Sequence, residues 1–373
     1  MRVCAYLQFI SHKNYSNPVE ASTVLRRHSL LLRQLMSDSK RIRLDGEPVI
    51  VTHSGVFHAD DALAVHLLYK LPVLHNAKLI RTRDPAQIAK GSVVVDVGAE
   101  YDPARHRYDH HQRGFFETFS EAHKTKLSSA GLVWKHFGRD ILAAHLGDRA
   151  DEQTVDILHP KMYDDFVEAI DAIDNGLPLF PDATGPPAYR SRTDLSSRVG
   201  FLTPRWNQET NDEILMERFH KASNLAGTEF FERVDDALES WLPARDIVRD
   251  ALQKRTDFEG ADTRGRIVLF ERAVNWKGHI FELEDELKIA ADDKPLYVVY
   301  PDESKRWRVQ AVPENPESFV SRRALPEPWR GVRDDKLSQV TKIPGSIFVH
   351  NSGFIGGNET REGAVEMAHR ALE

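Results

Sequence analysis

Two kinds of apolar run alternate along the first half of the chain. Short blocks at residues 48–52, 78–83 and 92–97 have the length and composition of strands, and the block at 92–97 is apolar nearly throughout. Residues 60–71, 85–90, 128–146 and 161–173 instead read as helices, with apolar positions recurring at helical spacing. This alternation predicts right-handed crossovers and a parallel sheet covered on both faces. After Asp174-Asn175-Gly176 the pattern breaks at Pro178, Pro181, Gly185, Pro186 and Pro187, which mark a loop. Residues 213–252 then look like a long helical connector. From residue 266 strands dominate, at 267–270, 296–300, 307–312 and 345–350. A glycine-rich stretch at 352–357 leads into a helix over 361–372. The pattern predicts an α/β protein: a parallel-sheet N-terminal domain with its connector over residues 46–255, and a smaller mixed α/β domain over 256–373. The boundary is placed within residues 250–265.

Composition supports two domains, since 373 residues exceed the roughly 250–300 at which one core stops growing. The single cysteine, Cys4, excludes an intramolecular disulfide and a thiolate zinc site. No apolar run approaches the roughly 20 residues that a membrane helix needs. A net charge of −7 differs from the basic balance of most nucleic-acid-binding domains. Two divalent ions in a carboxylate-rich centre would offset about four units of it. Residues 1–45 stand apart: Arg2, Lys13, Arg26, Arg27, Arg33, Lys40, Arg41 and Arg43 face few acids, Glu20 and Asp38 among them. With an apolar stripe at Leu30, Leu31, Leu32, Leu35 and Met36, the segment reads either as a mitochondrial presequence or as a disordered leader.

Three segments carry the chemistry. They are Thr52-His53-Ser54-Gly55-Val56-Phe57-His58-Ala59-Asp60-Asp61, Val93-Val94-Val95-Asp96, and Asp109-His110-His111. Each sets His or Asp just after a strand, and in an open parallel sheet such positions converge at the carboxyl ends of the strands. A mixture of imidazole and carboxylate suits hard Mn²⁺ or Mg²⁺. His53, His58 and Asp60 share one turn, where Gly55 permits unusual backbone geometry. Asp96 could bridge two ions, His110 could bind the second, and Asp174 could complete it. Two ions about 4 Å apart suit phosphoryl displacement. Asp61 reads as a helix cap or a support behind the ligands, and Asp109 as a hydrogen-bond partner of a neighbouring His. Arg105, His106 and Arg107 read as loop surface.

The ordered conjunction of these segments resembles the DHH phosphoesterase superfamily. The resemblance implies His53, His58, Asp60, Asp96, His110 and Asp174 as ligands of two Mn²⁺ or Mg²⁺ ions. It implies His111 as a group facing phosphate, with Asp96 and Asp109 in the catalytic set. Many members have Asp where His58 stands, and the spacing from His53 is one residue longer here. Further stretches narrow the match: Arg81-Thr82-Arg83-Asp84-Pro85, Tyr101-Asp102-Pro103, residues 107–113, Lys126-Leu127-Ser128-Ser129-Ala130-Gly131, Trp241-Leu242-Pro243-Ala244-Arg245, and residues 325–331 and 352–357. They resemble the melanocyte proliferating gene 1 family from about Val49 to the C-terminus. That family implies a 3′-to-5′ exoribonuclease of nucleus and mitochondria, acting on single-stranded RNA.

Candidate substrate-binding residues complete the reading. Arg113 lies in the matching stretch beside Asp109-His110-His111. Ser128 and Ser129, at a helix start, could bind phosphate or cap the helix. Ser352, Gly353, Gly356 and Gly357 form either a phosphate-binding turn or a tight strand-to-helix connection. Arg322, Arg323, Arg330 and Arg333, with Trp329, could hold phosphates and stack a base, or form a solvated patch. The substrate would be held between the two lobes. Two rivals remain: a small nucleotide phosphatase, pyrophosphatase or cyclic-dinucleotide hydrolase using the same site, and an RNA-binding or scaffold protein without catalysis. Oligomeric state is left open.

Overall fold

The computed structural model describes residue 42 and residues 46–149, 151–180, 185, 189–316 and 318–373. The basic leader, apart from Ile42, lies outside the described residues, as do Pro181, Pro186 and Pro187 of the proline loop. The chain divides into two compact units, one ending at Asp235 and one spanning Asp236–Glu373.

The first unit is built on five strands: β1 (Val49–Thr52), β2 (Lys78–Arg81), β3 (Val93–Val95), β4 (Tyr101–Asp102) and β5 (Arg107–Tyr108). Their order is β2-β1-β3-β5-β4, parallel except for the antiparallel edge strand β4. Ile50, Val51 and Val93 to Val95 are fully buried, as expected of strands with no solvated face. Helices α1 (Ala59–Tyr69) and α2 (Pro85–Ile88) make the first two crossovers. β3 reaches β5 without a helix, through β4 and a 3₁₀ turn at Pro103–Arg105. Register then aligns the chemistry. Val51 pairs with Val94 and Val95 with Tyr108, so His53, Asp96 and Asp109 leave neighbouring parallel strands at one level.

The remaining helices of this unit are α3 (Ser129–Leu146), α4 (Glu152–Met162), α5 (Glu168–Asp174), α6 (Leu195–Phe201) and α7 (Asp212–Asp236). The helix expected over 161–173 starts earlier. It runs unbroken from Glu152 through α4, a π-helical turn at Tyr163–Val167, and α5. Asp151 caps the start by accepting the Thr154 amide at 2.7 Å. Pro160 lies inside α4, where a residue lacking an N–H normally marks an end; that signal is what shifts the sequence reading.

The second unit holds β6 (Ile267–Leu269), β7 (Tyr297–Pro301), β8 (Trp307–Ala311), β9 (Ser346–Val349) and β10 (Ile355–Asn358), in the order β6-β7-β8-β10-β9. β6 and β7 pair parallel and the rest antiparallel. Its helices are α8 (Leu242–Gln253), α9 (Lys277–Glu286), α10 (Asp334–Thr341) and α11 (Arg361–Leu372). Alternate residues of β7 feed two apolar clusters. Tyr297 and Val299 pack with Val365 and Ala368 of α11, and Val298 packs with Val248 of α8 and Ile280 of α9. The connector therefore does not belong wholly to the first unit. Its last part, α8, buries Val248 and Leu252 among Val268, Phe270 and Val298, so the division falls at Asp235 and not at residue 255. Helical periodicity marks the helix but not the core it joins.

The glycine-rich stretch also differs from expectation. Gly356 and Gly357 lie inside β10, paired with both β8 and β9, and α11 begins later, behind the Thr360 cap. A Cβ on Gly357 would sit 2.5 Å from a guanidinium nitrogen of Arg308, and one on Gly356 3.0 Å from the Phe348 carbonyl oxygen. Close strand packing accounts for these glycines. Among the described residues, no helix is long and apolar enough to cross a membrane.

Candidate metal centre

The turn that follows β1 is tied down from several sides. Gly55 takes φ +95°, a conformation that side chains disfavour. Phe57 is fully buried and packs edge-on against Phe219, with ring centroids 5.8 Å apart. Arg81 lies over both rings and donates to the Gly55 carbonyl at 2.9 Å. Arg83 donates to the Ser54 carbonyl at 3.3 Å. Asp61, in the first turn of α1, accepts the His58 amide at 2.8 Å, so it caps the helix it begins. Its other oxygen lies 3.2 Å from Nε2 of His53.

Asp96 is the junction of the cluster. One of its oxygens lies 3.3 Å from Nε2 of His53, and the other 3.3 Å from Nε2 of His110. Nε2 of His110 is also 3.2 Å from Asp174, at the end of α5. Ligand atoms of His53, His58 and Asp96 fall within 4.8 Å of one another, as do those of His58, Asp60 and Asp174. Asp60, Asp61 and Asp96 satisfy the same limit. Asp96 itself adopts φ +56°, a left-handed conformation that Asp tolerates better than most residues.

These residues fit divalent cations on two grounds. First, Nε2 of His53, one oxygen each of Asp60, Asp61 and Asp96, and both nitrogens of His110 are buried and make no aligned hydrogen bond, although Nε2 of His53 and of His110 lie 3.2–3.3 Å from carboxylate oxygens. Buried polar atoms are nearly always partnered, and several of the exceptions among the described residues gather in this cluster. Second, the carboxylates crowd one another. Burial, then the charges of Asp96, Asp174 and Asp61, push Asp60 well above the ordinary carboxylate range. Burial raises Asp174 too. Burial also acts to raise Asp96, but His110 and His53 outweigh it and hold the carboxyl far below that range. Burial opposes charge on His53, yet Asp61 and Asp96 push it up to about 10. Such a concentration of acids is relieved by cations, and the donors are imidazole and carboxylate, suited to hard ions.

Around this cluster the supporting bonds are short. Asp109 accepts from Nδ1 of His111 at 2.7 Å and from the Ala99 amide at 2.6 Å. His111 is exposed and lines two cavities beside the centre, and its pKa is raised, chiefly by Asp109. Arg105 and Arg107 line the larger cavity, of about 760 Å³, together with Arg83 and Ile88. His106, expected on the surface, is instead buried beside Phe137. Arg113 is exposed on the loop beyond the cluster.

Other residues read from sequence as substrate contacts lie elsewhere. Ser128 and Ser129 are fully buried and face carboxylates, not solvent. Ser129 donates to Asp60 at 2.8 Å and Ser128 to Asp171 at 2.6 Å. In the second unit, Trp329 is buried in an apolar cluster, so it offers no face for stacking. Arg322 is bound to the buried Glu284, and Arg323 and Arg330 donate to the carbonyls of Leu372 and Leu325. Ser352 and Gly353 form the β9–β10 turn, where Gly353 takes φ +75°.

Sequence reasoning assigned no role to Asp171, whose buried carboxylate accepts from Ser128, Gly131 and Tyr163. Burial pushes it up to about 7 despite those donors. It lies one helical turn before Asp174 on α5, and no motif marks it. Nor did it assign one to Lys126, which lines the smaller cavity with His110 and Asp174.

Fold and cluster together define an α/β protein whose first unit carries a His/Asp centre able to hold metal ions. Comparison with known proteins makes this more specific. The MYG1 exonuclease family model, described as an uncharacterised protein family (UPF0160), matches residues 49–372. The chain is 48% identical to the MYG1 exonuclease of Mus musculus over 361 residues, covering 94% of this chain and 92% of the other. It is 48% identical to the MYG1 exonuclease of Homo sapiens over 354 residues, covering 93% and 92%. The MYG1 protein of Dictyostelium discoideum is 45% identical over 323 residues, covering 87% and 96%. The chain belongs to the MYG1 exonuclease family.

Proposed function

We propose that the protein is a 3′-to-5′ exoribonuclease that hydrolyses single-stranded RNA at a centre of two divalent ions, Mn²⁺ or Mg²⁺. The observation that carries this reading is the position of Asp96, with one carboxylate oxygen toward His53 and the other toward His110. A carboxylate so placed is suited to bridge two ions. The names of the relatives supply the nuclease class, and a nucleic-acid substrate follows from that class. The resemblance implies His53, His58, Asp60, Asp96, His110 and Asp174 as ligands of the two ions; by their spacing, His53, His58 and Asp96 would hold one, and Asp60, Asp96, His110 and Asp174 the other. When bound, such a pair supplies Lewis acidity to phosphoryl oxygens and acidifies water.

The chain's own groups do the rest. Asp109 fixes Nδ1 of His111, which leaves Nε2 to meet a phosphate oxygen or deliver a proton to the leaving oxygen. Ser129 orients Asp60 from behind. Arg83, Arg105 and Arg107 line the larger cavity together with Asp96, Glu100 and Asp109; Arg105 is paired with Glu100 and Asp102, which leaves Arg83 and Arg107 to meet the phosphate backbone. The basic leader would direct the protein to mitochondria; a fluorescent reporter carrying residues 1–45 tests that address, and a purely cytosolic signal would reject it.

The direct test uses single-stranded RNA labelled at either end, with Mn²⁺, Mg²⁺ or EDTA. Stepwise shortening of 5′-labelled RNA, with mononucleotides released from the 3′-labelled end and both abolished by EDTA, is the expected result. Turnover of pyrophosphate with RNA left intact would overturn the nuclease reading in favour of a small phosphoanhydride substrate.

A further inference from the structure

The smaller cavity beside the metal centre extends away from it. It measures about 480 Å³; His110, Asp60 and Asp174 line one end, and Ser196 and Gly200 of α6 also line it. Gly200 lines a second cavity as well, of about 470 Å³, with Arg192, Arg198 and Phe201. The two spaces thus share one lining residue, which has no side chain. Each has the size of a small-ligand pocket.

Their chemistry is that of a nucleotide's partners. Phe201 is 77% exposed, although an aromatic ring ordinarily gains from burying its faces. Arg192 is exposed, and no acid among the described residues pairs with it. The other charges here are engaged. Arg198 donates to Glu229 at 2.7 Å, and Asp194 caps α6 by accepting the Ser197 amide at 2.9 Å. The charge left over is the positive one on Arg192. At the near end Lys126 stands in the first cavity with His110 and His111.

We propose that these neighbouring cavities together hold the substrate strand beyond the scissile bond. Lys126 faces a phosphate close to the centre. Farther out, Arg192 pairs with the next phosphate and Phe201 stacks its base. Stacking on an aromatic ring beside a cation grips single strands without reading sequence, so the path is sequence-tolerant. The assignment rests on the nuclease reading for which bond is cut, but the grip on the strand does not depend on cleavage.

The test separates the two. Affinities of the full chain for fluorescein-labelled oligo(U) of one to about eight nucleotides are measured by anisotropy in EDTA, where no cleavage occurs. Affinity should rise with length over the first few nucleotides. Phe201→Ala and Arg192→Ala should each remove about tenfold of that gain, the size of one lost stacking or phosphate contact, while Arg192→Lys retains most of it. Both side chains are exposed, so truncation leaves the fold intact, which melting temperatures verify. A length gain that persists in both variants, or none in the wild type, overturns the proposal. Length-dependent binding that needs Phe201, from a protein cutting nothing with Mn²⁺ or Mg²⁺, would support the path and reject the nuclease reading.

Discussion

The carboxylate of Asp171 accepts the backbone amide of Gly131 at 3.0 Å, and it occupies the space that a side chain on residue 131 would need. A Cβ there would lie 2.1 Å from the other carboxylate oxygen. The acid from α5 thus caps the start of α3, and α5 ends three residues later at Asp174, beside His110. Gly131→Ala should cost about 1–3 kcal/mol through overpacking, and should weaken Mn²⁺ binding by shifting Asp174. Thermal melts and metal titration check both, and an unchanged melting temperature would show that the cap is slack.

Ser129 acts on the centre from behind. Its hydroxyl is the donor to Asp60, and both side chains are fully buried. Partners of this kind typically contribute 10- to 100-fold in metal affinity or activity. Ser129→Ala should therefore lower turnover by about tenfold or more without unfolding the unit. Full activity in that variant, at limiting metal, would mean that Asp60 orients itself.

His66 gives the first unit an acid-sensitive point. It lies on α1 under Gly227 of α7, where a Cβ would approach its ring to 2.1 Å. Burial, then Lys70, lowers its pKa to about 4, against 6.5 for an ordinary histidine, with the Ser223 backbone opposing. Between those values the unfolded chain takes up a proton that the folded chain refuses, so stability falls as pH drops through the window. The whole effect is about 3 kcal/mol. His66→Gln should flatten the dependence of melting temperature on pH between 7 and 4, and parallel wild-type and variant curves would contradict the assignment.

In the second unit, Arg322 grips the fully buried Glu284 at 2.5 and 2.9 Å, with Lys294 at 3.3 Å. Arg322→Ala strands much of a buried negative charge and should cost about 3 kcal/mol. It should change RNA affinity no more than that loss of folded protein explains. Weakened binding with an unaltered melting temperature would restore the phosphate-binding role read from sequence.

Much of the centre was legible because its residues follow strands directly. His53, Asp96 and Asp109 each trail an apolar block, and parallel pairing with near-level register brings them together. The family resemblance is confirmed by the matched family model and the relatives. What escaped depends on partners distant in sequence. Nothing local says that Ser128 and Ser129 point inward at acids, or that Asp171 lies against α3. The 3.6-residue period locates α8 but not the core its Val248 and Leu252 enter. Glycines at 356 and 357 look the same in sequence whether they cradle phosphate or let strands approach.

Whether Asp96 bridges two ions is tested most directly by Mn²⁺ titration followed by calorimetry and electron paramagnetic resonance. The wild-type chain should bind about two ions, magnetically coupled because they share one carboxylate about 4 Å apart. Asp96→Asn should lose the coupling and at least one ion, with hydrolysis of RNA falling together with it. Two uncoupled ions in the wild type, or an Asp96→Asn variant that keeps both ions and its activity, would contradict the bridged centre.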